Sequence, residues 1–152
     1  MTDYKIVDGC EKHIDALEHL ERHCFSVPWT RAQLISQLPD ENHDFIVMEA
    51  DGEAIAYVGM MYVLDEGYIS NVAVSPAYRR QGIADKLISQ LLKSAEDKEL
   101  SFVTLEVRQS NIPAIRLYEK NGFIKVGQRK NYYDLPKEDA ILMTKFLKCE
   151  AL

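Results

Sequence analysis

The chain contains few cysteines, no long apolar run and no excess of positive charge. Its three cysteines, Cys10, Cys24 and Cys149, are odd in number and far apart, which is unlike a disulfide framework and predicts a reducing, cytoplasmic setting. We expect Cys24 and Cys149 to pack as small apolar groups. No segment approaches the roughly 18 apolar residues of a membrane span, and no basic patch followed by an apolar block marks a signal peptide.

The net charge is −6, which argues against the basic surface of a nucleic-acid-binding protein. The charge is uneven: residues 1–50 hold 10 acidic and 4 basic side chains, whereas residues 101–152 hold 6 acidic and 9 basic ones. The acidic first third is typical of solvated acidic helices, but it also fits attraction of a basic substrate.

The chain has 152 residues, 47% hydrophobic and 28% charged, which suits one soluble domain with a substantial core. We therefore predict a single domain over residues 1–152. His19 and His23 are four residues apart on a predicted helix, but no third ligand accompanies them, and no metal site is predicted.

Apolar periodicity predicts helices over 11–24, after an N-cap at Thr30, from Ile83 onward, and from the cap Asn111 to Asn121-Gly122. Strands are predicted over 44–50, 53–62, 67–74, 101–107, 123–132 and 140–147, with a hairpin turn at Asp51-Gly52. This order indicates an α+β fold around one mixed sheet. Its central strand, helix and strand predict a right-handed crossover between parallel neighbours.

The segment from Val72 to Leu92 combines the end of a strand, a tight loop and a strongly amphipathic helix. A helix that begins at Gly82 leaves its first backbone N–H groups unbonded, and these donors attract an anion together with the helix dipole. Gly82 permits close approach of a phosphate. Arg79 and Arg80 either add positive charge there or form an ordinary solvated pair. The segment therefore predicts a phosphate-bearing cofactor.

Further motifs follow this loop in a fixed order. They are Leu105-Glu106-Val107-Arg108-Gln109-Ser110-Asn111, Leu117-Tyr118-Glu119-Lys120-Asn121-Gly122-Phe123 and Arg129-Lys130-Asn131-Tyr132-Tyr133, with Phe25-Ser26-Val27-Pro28-Trp29-Thr30 near the front. Together with the loop at 79–84 they resemble the GNAT superfamily of acetyl-CoA-dependent N-acetyltransferases, and within it the bacterial enzymes that acetylate ribosomal protein N-termini. The resemblance covers nearly the whole chain. One departure is Ala84, where many members carry a second glycine.

The resemblance implies the GNAT fold, a mixed and mostly antiparallel sheet with a central parallel strand pair and about four flanking helices. It also implies that the backbone of Val72, Ala73 and Val74 pairs with the pantetheine of acetyl-CoA. The remaining cofactor contacts that it implies are Arg79, Arg80, Gln81, Gly82, Ile83, Ala84 and Asp85 around the pyrophosphate, and Asn111 and Tyr118 near the reactive end.

Catalytic roles also follow from the resemblance, with Glu106 as general base and Tyr118 as general acid. An ordinary glutamate pKa of about 4.3 makes a weak base for an ammonium, so burial or a relaying water is needed. Tyr132 and Tyr133 either line the acceptor slot or alternate in the core. Trp29 either walls the acceptor site or anchors its loop.

The implied reaction is direct acetyl transfer, in a ternary complex, to a protein N-terminus. The implied acceptor is small-subunit ribosomal protein eighteen, and the enzyme is expected as a monomer or weak dimer without nucleic-acid or membrane partners. An α-amine with a pKa of about 8 is appreciably neutral near pH 7.4, whereas a lysine is only about 0.1% neutral. The alternatives are acetylation of lysines or small amines, and a non-catalytic acetyl-CoA-binding module.

Overall fold

The computed structural model describes residues 1–148, so the prediction for Cys149 lies outside the described residues. The strands are β1 (Tyr4–Asp8), β2 (His43–Ala50), β3 (Glu53–Val63), β4 (Glu66–Val74), β5 (Phe102–Arg108), β6 (Ile124–Asp134) and β7 (Lys137–Phe146). The helices are α1 (Ile14–Cys24), α2 (Arg31–Ser36), α3 (Ile83–Asp97) and α4 (Ile112–Lys120), with 3₁₀ turns at Glu11–His13 and Pro76–Tyr78. In this part of the chain no helix is both long and apolar enough to cross a membrane.

One sheet contains all seven strands in the order β1-β2-β3-β4-β5-β7-β6. Every neighbouring pair is antiparallel except β4 and β5, which confirms the predicted mixed sheet with a central parallel pair. This parallel pairing covers only three positions, from Glu66↔Phe102 to Tyr68↔Thr104. Beyond Tyr68 the two strands no longer pair, and a gap opens between their carboxyl ends.

Two apolar layers cover the two faces of the sheet, because successive strand residues point to opposite sides. In β2, Ile46 and Met48 belong to the layer that contains α3, whereas Phe45 and Val47 belong to the layer that contains α1 and α2. The predicted apolar stripe of α3 is buried along its length, at Ile83, Leu87, Ile88, Leu91, Leu92 and Ala95. Each large aliphatic side chain buried in this way stabilises the fold by about 1.5–3 kcal/mol.

Strand β1 was not predicted from the sequence. It pairs antiparallel with β2, from Tyr4↔Ala50 to Asp8↔Ile46, at an edge of the sheet. Four of its five residues are exposed and Val7 is half-buried, so burial does not alternate along the strand. Pairing with β2 rather than a local pattern places this segment in the sheet.

The last hairpin is longer than predicted. Strand β7 begins at Lys137 rather than at residue 140, and only Leu135 and Pro136 separate it from β6. The register of β6 on β7 shifts between Lys125 and Gly127 and again between Arg129 and Tyr133. These bulges interrupt the alternation of apolar and polar residues, and the ends of a strand are predicted from that alternation.

Candidate active site

The end of β4 presents to the gap an edge that lies beyond its pairing with β5, and at this edge the Val74 carbonyl accepts a hydrogen bond from Arg79. Val72, Ala73 and Val74 pair with β3 on their other side, and their side chains are held in the two apolar layers. Their backbone groups on the β5 side lie beyond the last parallel pair, Tyr68↔Thr104. An extended chain of amides can therefore add to this edge as a further strand does.

A cradle of backbone N–H groups follows the end of β4. Gly82 is the N-cap of α3, with φ +75° and no side-chain cap. The first bond of the helix runs from the Lys86 N–H to the Gly82 carbonyl, at 3.1 Å, so the N–H groups of Ile83, Ala84 and Asp85 precede the helical ladder. A Cβ built on Gly82 meets nothing within 4 Å. These features fit a pyrophosphate.

Most side chains around this cradle form hydrogen bonds with other groups of the protein. Arg79 donates from Nε to the Val74 carbonyl at 3.2 Å and approaches Cys24 Sγ at 3.5 Å. The Gln81 amide oxygen accepts from the Tyr4 hydroxyl at 2.9 Å. Asp85 accepts from the side-chain amide of Asn121 at 2.9 Å, a bond that lowers the pKa of its carboxyl.

Arg80 is exposed and adopts φ +64°, so it is a cation at the surface of the cradle. Cys24 is half-buried, as predicted for a packed thiol, and burial raises the pKa of its thiol.

The substitution Gly82→Ala is expected to weaken CoA binding at least tenfold, because its methyl group points into the open side of the cradle. Gly52→Ala is the matched control, since Gly52 also has positive φ (+84°) and open space around a built Cβ, but lies in the β2–β3 turn. Each change is expected to destabilise the fold by about 1 kcal/mol. Calorimetric titration with CoA checks this; equal dissociation constants for the two variants would contradict the cradle.

Glu106 lies on β5 directly beside the point where the parallel pairing ends. Its side chain is 8% exposed, and its Oε2 accepts a hydrogen bond from the Tyr68 hydroxyl. Its Oε1 is 3.3 Å from Nε of Arg129, a side chain that is 54% exposed. Burial, followed by the bond to Glu106, raises the pKa of Tyr68. The carboxylate is thus held between a protonated phenol and a guanidinium.

The sequence did not identify Tyr68 and Arg129 as site residues. Tyr68 reaches Glu106 because it is paired with Thr104 in the parallel register, two residues before Glu106 on the same face. Arg129 reaches Glu106 from the bulged part of β6. The first residue of the Arg-Lys-Asn-Tyr-Tyr motif was the one available signal for it.

Tyr118 is a core residue whose side chain carries a hydroxyl group. Its ring belongs to the main buried layer and packs edge-on against Phe123, with centroids 5.8 Å apart. Burial, and then the neighbouring Tyr133, raises the pKa of Tyr118. Burial, Tyr132 and Glu106 in turn raise the pKa of Tyr133 to about 12. Both phenols therefore stay protonated at neutral pH.

Asn111 caps α4 as predicted. Its Oδ1 accepts from the Ala114 N–H at 3.3 Å. The cap uses the carbonyl oxygen, and the side-chain NH₂ group is the part of Asn111 suited to donating to a cofactor carbonyl.

Tyr132 and Tyr133 lie in the second bulge of β6. Asn131 there has φ +53°, and its N–H donates to Asp139 at 2.8 Å. Tyr132 is 47% exposed, and Tyr133 is half-buried beneath the Arg108 guanidinium, 4.3 Å from the ring centroid. Neither ring belongs to the buried layers, so the alternative of alternating core aromatics is wrong.

The loop that carries Trp29 approaches this hairpin from the other side. Thr30 caps α2 as predicted, accepting from the Gln33 N–H at 3.2 Å. The Ser26 hydroxyl donates to the Leu135 carbonyl in the β6–β7 turn. Trp29 is half-buried and packs against the α1 layer. The α1–α2 loop and the last hairpin are thus in contact at Ser26 and Leu135.

Most carboxylates of the acidic first third have partners within the chain. Arg31 lies 2.6 Å from Asp15 and 3.4 Å from Glu18, and further pairs join Asp3 to Lys5, Asp40 to His43, Asp44 to Lys98 and Glu49 to His13 and Lys12. This pairing favours the structural interpretation of these charges. The rings of His19 and His23 are in contact, with centroids 4.3 Å apart. Residues 1–148 contain no group of three potential metal ligands.

A sheet split between two parallel strands, an anion cradle after the first and a buried carboxylate on the second define an acyl-CoA-dependent acyltransferase. The chain belongs to the GNAT acetyltransferase family, whose model matches residues 14–123. It is similar to the [ribosomal protein bS18]-alanine N-acetyltransferase of Haemophilus ducreyi, with 34% identity over 140 residues, covering 90% of this chain and 96% of that protein.

Solved structures agree with this assignment and confirm the predicted fold. The ribosomal-protein-S18-alanine N-acetyltransferase from Escherichia coli has a TM-score of 0.89 at 31% identity, covering 98% of this chain and 97% of that one. A NatC complex bound to Gag peptide and CoA has a TM-score of 0.81 at 25% identity, covering 97% and 99%.

Proposed function

We propose that this chain transfers the acetyl group of acetyl-CoA to the N-terminal α-amine of ribosomal protein bS18. We further propose that residues 1–152 act as one domain, in the cytoplasm, as a monomer or weak dimer. The names of its relatives support this acceptor. The single observation that carries the chemistry is the position of Glu106: its buried carboxylate lies just past the last pair of β4 and β5, where the gap between the two strands begins.

In this proposal the gap binds the cofactor in an extended form. The edge of Val72 to Val74 pairs with the pantetheine amides, and the N–H groups after Gly82 hold the pyrophosphate. The bound cofactor supplies a thioester carbonyl at the gap. Asn111 at the start of α4 donates a hydrogen bond near that end.

Three proton transfers then complete the reaction. Glu106 accepts the first proton from the α-ammonium, directly or through one water, and the neutral amine forms a C–N bond to the carbonyl carbon of the thioester. As the C–S bond breaks, the Tyr118 hydroxyl donates its proton to the departing sulfur. The second proton that the nitrogen loses on becoming an amide restores the Tyr118 hydroxyl, and the proton on Glu106 passes to solvent. Burial raises the pKa of Tyr118, so its hydroxyl holds a proton to donate at neutral pH.

The acceptor class follows from how easily the acceptor amine loses its proton. An α-amine with a pKa of about 8 needs little help to become neutral, whereas a lysine side chain at about 10.4 needs much more. In this proposal the acceptor lies in a slot between two segments, the loop with Trp29 and the hairpin with Tyr132 and Tyr133. Such a slot suits the extended end of a peptide.

A panel of acceptors tests the proposal. Release of CoA thiol is measured with an Ala-initiated peptide of the bS18 N-terminus, the same peptide blocked at its α-amine with an internal lysine, and spermidine. We expect the free peptide to have at least a tenfold higher kcat/KM than the others. A preference for blocked lysine peptide or spermidine would assign the alternative acetyltransferase activity. Tight CoA binding with no thiol release would indicate a non-catalytic module.

A further inference from the structure

A buried carboxylate that takes no part in the proposed chemistry connects the loop that carries Trp29 to the end of β4. Glu21 on α1 has no exposed surface, although an isolated carboxylate is costly to bury. Its Oε1 accepts from the Asn71 side-chain amide at 2.6 Å and from the Tyr57 hydroxyl, and its Oε2 accepts from the Trp29 backbone N–H at 3.3 Å.

Burial is the dominant influence on this carboxyl and raises its pKa, against the three donors, which lower it. A well-packed apolar residue at such a position often stabilises a fold as well as a charged one does. The contribution of Glu21 to stability is therefore a poor explanation for its presence. Its partners point to a different role.

The three partners lie on separate elements of the site. Trp29 is in the loop that forms one wall of the acceptor slot. Asn71 lies on β4 immediately before Val72, where the edge proposed for pantetheine begins. Tyr57, on the neighbouring β3, also accepts a hydrogen bond from Asn71, at 2.8 Å. One carboxylate thus ties the acceptor wall to the cofactor strand.

The other hydrogen bonds of the α1–α2 loop lie near its two ends, while the Trp29 ring packs against the α1 layer. The Phe25 N–H donates to the Glu21 carbonyl at 3.0 Å, and Ser26 donates to Leu135. Thr30 is held by its capping bonds to Gln33. Between these anchors, the bond to Glu21 fixes the backbone at Trp29 itself.

We propose that Glu21 is a positioning residue for the acceptor, which holds Trp29 and its loop at a set distance from the cofactor-binding end of β4. This inference rests on the proposed function for the identity of the acceptor wall. Its geometric part, the attachment of Trp29 to β4 through Glu21, stands independently of any activity.

The experiment uses Trp29 as a reporter, because it is the only tryptophan of the chain. Glu21→Gln replaces one of two acceptor oxygens by a donor, and Glu21→Ala removes all acceptors. Tyr57→Phe is the matched control, since it removes one hydrogen bond from the same carboxylate and one from Asn71 on β4, but none from the loop that carries Trp29. Emission of Trp29, its quenching by acrylamide, KM for the bS18 peptide, kcat and the Kd of CoA are measured for each.

We expect acrylamide quenching of Trp29 and KM for the peptide to increase in the order Tyr57→Phe, Glu21→Gln, Glu21→Ala, with KM at least fivefold above wild type in Glu21→Ala. CoA Kd and kcat at saturating peptide are expected to stay within twofold. If Glu21→Ala fails to fold, the proposal is tested by comparing the quenching and the KM of Glu21→Gln with those of Tyr57→Phe.

Wild-type quenching and KM in both Glu21 variants would overturn the inference, and so would equal effects in Tyr57→Phe. A failure of the proposed function has a different signature. The wild-type protein would then release no thiol with the peptide, while the fluorescence comparison would still report whether Glu21 holds the loop.

Discussion

Glu106→Gln is expected to lower kcat for the peptide acceptor by about a hundredfold, within the range that general base catalysis supplies. The amide keeps the size of the side chain and its acceptor oxygen for Tyr68, but it has no carboxylate to take the proton of the ammonium. It also loses the charge that pairs with Arg129 at 3.3 Å. The pyrophosphate cradle lies on another element, so the Kd of CoA is expected to stay within twofold.

Glu119→Gln is the matched control, because it removes the same charge from an exposed position on α4. Steady-state release of CoA thiol gives kcat, and calorimetry gives the Kd of CoA. The role of Glu106 as base would be rejected by a kcat within threefold of wild type. An equal loss of kcat in the Glu119→Gln control would also contradict this role, because it would show that removal of any negative charge lowers kcat.

The parts of the site that were predictable are those encoded locally. The cradle depends on a glycine at a helix start, and the cap at Asn111 depends on a side chain three residues before the N–H it satisfies. Both occur as predicted, at Gly82 with φ +75° and at Asn111 with its bond to Ala114. The apolar stripe of α3 is likewise a property of consecutive residues.

The surroundings of Glu106 were not predictable, because they depend on pairing between distant strands. Tyr68 is 38 residues away in sequence, and only the three-position register of β4 on β5 brings it to the carboxylate. Arg129 arrives through a bulge, which reverses the side that a residue faces relative to simple alternation. Glu21 was missed for a related reason: its helical position looks like one more charge on an acidic helix, and the fold buries it.

Tyr118→Phe is expected to lower kcat at least tenfold while leaving the Kd of CoA nearly unchanged. The ring is held by the core and by Phe123, so phenylalanine retains the packing and removes only the hydroxyl. Burial raises the pKa of Tyr118 above its usual 10, and the hydroxyl therefore stays protonated throughout the working range. Without it, the thiolate, whose conjugate acid has a pKa near 8.5, leaves the carbonyl carbon with no proton donor beside it.

The direction of this pKa shift adds a second observable. Because the protonated form is the donor and ionises only above pH 10, kcat should show no loss between pH 8 and 10 from ionisation of Tyr118. Tyr62→Phe is the control, since it removes another tyrosine hydroxyl whose pKa is also raised by burial. A wild-type kcat in Tyr118→Phe would show that the thiolate leaves without help from this residue, as water at the gap would then suffice to protonate it.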